Sequence, residues 1–162
     1  MRILILLFFT LSSFAQNNDQ RLAYQYYING DYEKAVILYE EINKKSFSLN
    51  TYNPFFTSLI NLNRFSDAEK IARKQYSKNN ARLNFFADLI IAQIKLDQKN
   101  KYRFNLKKII KKINGRNSQV IQIANRFQLF EMYSVALEIY EKSSEINNNY
   151  QYDLQKAQLY GL

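Results

Sequence analysis

The sequence predicts an all-α fold, an α-α superhelix or solenoid of about four helical hairpins followed by a terminal helix. Three observations predict it. The 162 residues include only three Gly and one Pro, too few for the tight turns of an all-β fold. Apolar residues recur at i, i+3, i+4 and i+7, the stripe of an amphipathic helix. The whole pattern then repeats about every 34 residues, the mark of stacked units.

The register is set by Ala35. Ala68, Tyr102 and Ala136 follow it at steps of 33, 34 and 34 residues. Four residues after each stand Tyr39, Ala72, Leu106 and Tyr140, and nine before stand Tyr26, Leu59, Gln93 and Phe127. Thirteen before stand Leu22, Phe55, Leu89 and Ile123. The small Ala35 lets two helices approach closely, and the rings of Tyr26 and Tyr39 fill the space around it. One such hairpin cannot bury its apolar face alone, so neighbours must stack.

In chain order, Met1 and Arg2 open a short positive segment, and Ile3 to Phe9 is unbroken and apolar. Ser13-Phe14-Ala15 puts small residues at −3 and −1 of a cut after Ala15. This layout predicts a cleaved signal peptide over 1–15 and an exported protein beginning at Gln16, periplasmic, extracellular or associated with the outer membrane. The run is too short for a bilayer span of about 20 residues, so no transmembrane span is expected after cleavage.

The array is expected over 16–162, with units at about 16–49, 50–82, 83–116 and 117–149. In the first, Leu22, Ala23, Tyr26 and Tyr27 form one stripe and Ala35, Leu38, Tyr39 and Ile42 the next, joined by a turn at Gly30. In the second, Asn53 reads as an N-cap with Pro54 at the first helical position. Ser66 and Glu69 have capping-box spacing at the start of the helix that follows. Gly115 closes the third unit. A terminal helix is expected over 150–160, with Ala157 and Tyr160 in register. Its Gln151, Asp153, Gln155, Lys156 and Gln158 suit a closing cap. The same helix equally reads as the start of a further unit, which would make these residues the N-terminal docking module of a longer protein.

The residues Leu22-Ala23, Tyr26-Tyr27, Gly30-Asp31-Tyr32, Ala35 and Tyr39 make the chain resemble the tetratricopeptide repeat (TPR) family. Ile123-Ala124, Phe127, Tyr133, Ala136 and Tyr140 repeat the match in the fourth unit. The second and third units depart from it, with Phe56 and Ile90 where the family prefers a small residue and Tyr102 at the reference position. The leader and the Asn-, Lys-, Ile- and aromatic-rich units together resemble exported proteins of Bacteroidota-type bacteria. The resemblance implies a non-enzymatic scaffold for protein–protein interaction in the bacterial envelope, with a protein or peptide partner in a groove lined by first helices. By register, Tyr24, Tyr27, Asn53, Thr57, Asn61, Asn84, Ile91, Asn125 and Gln128 face that groove. Side-chain amides and a few aromatics suit an extended peptide, whose backbone offers donors and acceptors. Some members clamp a terminal carboxylate with Lys, Arg and Asn. Here those positions hold Gln20, Tyr24, Pro54, Asn84 and Asp88, so that specificity is not expected.

The formal charge is +9, and it is concentrated. Nine basic residues and one acidic residue lie between Lys95 and Arg116, while the rest of the chain after the leader is balanced. On a helical wheel Tyr102, Leu106, Ile109, Ile110 and Ile113 share one arc. Lys101, Phe104, Lys107, Lys108, Lys111 and Lys112 occupy the other. Such a helix is an alternative functional element, able to meet an anionic membrane, an acidic polymer or nucleic acid. Export makes nucleic acid the least expected of these.

The chain has no Cys and no His. That removes thiolate chemistry, the commonest general base and the commonest transition-metal ligands. Glu40, Glu41, Glu138, Glu141 and Glu145 sit on second helices at solvated spacing, without a paired acid and base. Catalysis, metals and cofactors are therefore not expected.

Overall fold

In a computed structural model, residues 18–45, 48–114, 116–147 and 152–160 are described. The leader read at 1–15 and Gly115 lie outside them. All regular structure among the described residues is helical: α1 (18–28), α2 (Tyr32–Lys45), α3 (Leu49–Asn61), α4 (Phe65–Lys78), α5 (Leu83–Lys95), α6 (Lys99–Ile113), α7 (Asn117–Gln128), α8 (Tyr133–Ile146) and α9 (Asp153–Tyr160). Within each unit, neighbouring helices pack in hairpin fashion, α2 with α3, α4 with α5, α5 with α6 and α7 with α8, which is compatible with a helical repeat. None is long and apolar enough to cross a membrane among the described residues.

The chain divides into two compact units, 1–64 and 65–162. In the first, α2 packs on α3. Ala23, Ala35, Val36, Tyr39, Tyr52, Phe56 and Leu59 are buried, and the rings of Tyr39 and Phe55 lie 5.9 Å apart. In the second, α5 packs against α4, α6 and α7, α7 against α8, and α6 and α9 against α8. Ala68, Ala72, Leu106, Ile109, Ile123, Ala124, Phe127, Ala136 and Tyr140 form its interior, and Tyr76 stacks on Phe86 at 4.4 Å. The columns of the sequence register are mostly the columns of the core. Leu22 and Tyr26 of the first helix and Tyr102 are the exceptions, being exposed or half-buried.

The repeat also appears in the backbone. Left-handed residues follow α1, α3, α5 and α7: Gly30 (φ 81), Asn63 (φ 57), Asp97 (φ 53) and Glu131 (φ 60). They recur with the same steps as Ala35. Each lies in the same hydrogen-bonded turn. The amide after it donates five residues back, Asp31 to Tyr26, Arg64 to Leu59 and Gln98 to Gln93 at 2.9 Å, Met132 to Phe127 at 3.0 Å. Its own amide donates three back, to Tyr27, Ile60, Ile94 and Gln128. This pairing satisfies carbonyls that a helix end leaves open.

Two expected helix starts are corrected. Ser48, not Asn53, caps α3, accepting the Thr51 amide at 3.3 Å. Pro54 therefore lies inside the helix and has no N–H to return to the Asn50 carbonyl. Ser66 is already the second residue of α4, so it is not a cap. Glu69 is instead drawn to side chains of α4 and its neighbours.

Candidate functional site

In the first unit, α1, α2 and the start of α3 flank an open cavity of about 730 Å3. Asn18, Gln20, Arg21 and Tyr24 reach it from α1, Tyr39 from α2, and Asn50 and Thr51 from α3. Helical spacing brings the α1 residues to one side. The Ser48 cap brings the first turn of α3 to the other. Tyr24 is 52% exposed, with its ring 5.9 Å from that of Tyr27.

Tyr39 is different: its side chain is buried, and its hydroxyl has no hydrogen-bond partner. Burial, then the neighbouring Tyr27 and Tyr24 hydroxyls, push its pKa far above the ordinary tyrosine value. It is therefore a neutral O–H at any physiological pH, beside a cavity that also offers amides and one guanidinium.

The fourth hairpin shows what the first one lacks. Tyr140 is the register equivalent of Tyr39, and Asn125 and Gln128 are the equivalents of Tyr24 and Tyr27. The Tyr140 hydroxyl donates to Asn125 Oδ1 at 3.4 Å, and Gln128 also hydrogen-bonds it. Burial still raises its pKa, with Tyr152 adding to the rise and Gln128 opposing it. Replacing two amides by two tyrosines thus leaves the hydroxyl of Tyr39 unmatched.

The other expected groove residues are distributed along their helices. Asn53 and Asn61 are exposed and Thr57 is half-buried. Asn61 is turned back on its own helix, donating to the Thr57 carbonyl at 2.9 Å. Asn84 is half-buried, with Oδ1 buried and unpartnered. None of these four lines the cavity among the described residues. Ile91 does not face a groove at all: it is fully buried, because every residue from Phe85 to Gln93 is.

Two polar clusters in the second unit were not read from the sequence. Asp88, wholly buried on α5, accepts Arg126 Nε of α7 at 2.6 Å. Glu69 of α4 receives Arg73, Gln93 Nε2 and Gln98 Nε2, the last two at 3.3 Å, while Asn105 Nδ2 of α6 donates to Gln93 Oε1 at 2.9 Å. Burial alone would raise the Glu69 carboxyl. The hydrogen bonds from Arg73, Gln93 and Gln98 outweigh it and hold the group below its ordinary value. One signal was present: Gln93 occupies a register column otherwise filled by Tyr26, Leu59 and Phe127. A polar residue in a core column needs a polar partner.

Of the basic helix, Lys101, Lys107, Lys108, Lys111 and Lys112 are all exposed, and Phe104 is 62% exposed among them. No group of three or more Asp or Glu that could hold a metal occurs among the described residues. No protein-family model matches the chain, and no curated protein is significantly similar to it.

Proposed function

We propose that this chain is a non-catalytic interaction scaffold of the TPR type, exported to the bacterial envelope after cleavage at Ala15, that holds an extended peptide of a partner protein. The cavity beside Tyr39 carries the reading. A buried hydroxyl without a partner costs about 1–3 kcal/mol, and a shift of the Tyr39 ring toward the cavity would let a peptide carbonyl recover it. Gln20, Asn50 and Asn18 offer both donors and acceptors, which is what a peptide backbone needs on each side. Tyr24 adds exposed ring surface of the kind that anchors interfaces, with the half-buried Tyr27 ring beside it.

The reading is tested by peptide-display selection on the purified chain. Selected peptides are expected to bind with a Kd of roughly micromolar and at least tenfold more weakly to a Gln20→Ala, Tyr24→Ser, Asn50→Ala variant. Tyr39→Phe should weaken the same peptides several-fold while leaving thermal stability unchanged or higher, since its hydroxyl supports nothing in the fold. Peptides that bind the wild type and these variants equally would defeat the proposal, as would a selection that enriches none.

A further inference from the structure

The outer face of α6 takes no part in the cavity or in the core. The helix is held by Leu106, Ile109, Ile110 and Ile113, all buried. Arg103 is engaged through Nη1 with Glu138 Oε2 of α8 at 3.1 Å and lies over the Tyr102 ring. Lys101, Lys107, Lys108, Lys111 and Lys112 are left, and none of the five forms an ion pair among the described residues. At 100° per residue they and Phe104 fall within an arc of about 140°, with Phe104 near its centre, along roughly 17 Å of helix. The Lys108 ammonium sits 5.2 Å from the Phe104 ring centroid.

Stability does not explain this face. Lys107 and Lys111, and Lys108 and Lys112, are like charges at i, i+4, which weaken a helix. An exposed Phe at the centre gains nothing from water. Elsewhere several surface lysines and arginines do find carboxylates: Lys34 with Asp31, Lys44 with Glu41, Arg64 with Glu40, Lys142 with Glu145.

We propose that this face docks the protein on an anionic lipid surface, with the five lysines at the headgroups and Phe104 inserted between them. The arrangement favours a membrane over other polyanions. The ammonium groups lie along a single straight helix and surround an apolar ring, so one plane meets them all. A nucleic-acid strand needs a basic groove with several rings for successive bases, and Phe104 is the one aromatic residue on this arc. The apolar side of α6 is committed to the core, so the helix rests on the surface and does not enter it. Binding is then mainly electrostatic. Each lysine near such a surface strengthens it by about fivefold, and the effect falls away within a Debye length.

The test is co-sedimentation of the purified chain with large vesicles of phosphatidylcholine alone or mixed with phosphatidylglycerol. The expected result is binding to the mixed vesicles only, lost in about 0.5 M salt. Lys107→Gln, Lys108→Gln, Lys111→Gln and Lys112→Gln together should weaken it by a hundredfold or more. Phe104→Ser should weaken it by about tenfold at unchanged salt dependence. All five residues are exposed, so circular dichroism should show each variant folded, and the quadruple variant should melt higher than wild type at low salt. Equal binding to neutral vesicles, insensitivity to the lysine changes, or tighter binding to single-stranded DNA than to mixed vesicles at the same salt would each overturn the proposal.

Discussion

A left-handed backbone costs an L residue about 1–2 kcal/mol, and glycine avoids that cost at the expense of some unfolded-state entropy. Of the four equivalent turns, only the first has glycine. Asn63 tolerates the conformation, Asp97 less well, and Glu131 lacks the short polar side chain that favours it. Glu131→Gly and Asp97→Gly should therefore stabilise the second unit by about 0.5–1 kcal/mol each, with a smaller gain for Asn63→Gly in the first. Gly30→Ala should cost about 1 kcal/mol through backbone strain alone, because nothing lies within 4 Å of the added carbon. Urea midpoints measure this series, and a reversed order would refute the strain argument.

Between elements, the Asp88–Arg126 pair joins α5 to α7, which are the first helices of consecutive hairpins. Both side chains are largely withdrawn from water, Asp88 entirely. Removing one partner leaves the other charge buried, so Arg126→Ala should destabilise the chain by about 3–5 kcal/mol. Replacing both with apolar residues of similar volume, as in Asp88→Leu with Arg126→Met, should recover most of that loss. Chemical denaturation of the two single variants and the double variant checks it. Additive losses in the double variant would show that the residues act separately.

Across the whole molecule, stability depends on pH through Glu69. Its carboxyl is held below the ordinary value of about 4.3, so its contribution is complete above that pH and is lost as pH falls through the lower folded value. Glu69→Gln should be less stable than wild type at pH 6, and the difference should shrink by pH 3.5. A difference independent of pH would mean that the charge is irrelevant.

Much of this architecture is legible in the sequence because a repeat states its core four times over. Ala35, Ala68 and Ala136 name the close contact, and Tyr39, Ala72, Leu106 and Tyr140 name the buried neighbours. Legibility fails where local rules compete. Ser48 and Asn53 are both capping residues, and Pro54 argues for the later start, yet α3 begins a turn earlier. It fails again where burial is complete. Along α5 no face is exposed, so periodicity cannot tell Ile91 from a groove residue. The cavity and the Asp88–Arg126 pair depend on residues from separate helices, at separations of no helical meaning, and only the folded chain brings them together.

The four turns have a consequence for how such a chain changes over time. Their hydrogen bonds join backbone to backbone, from amides that every residue except proline possesses. Most unbranched side chains can occupy the left-handed position at a cost of about 1–2 kcal/mol. The hinge is thus inherited as a conformation and not as a residue, and Gly, Asn, Asp and Glu have all held the place. A chain built this way can exchange nearly every letter of its unit and still turn at the same point.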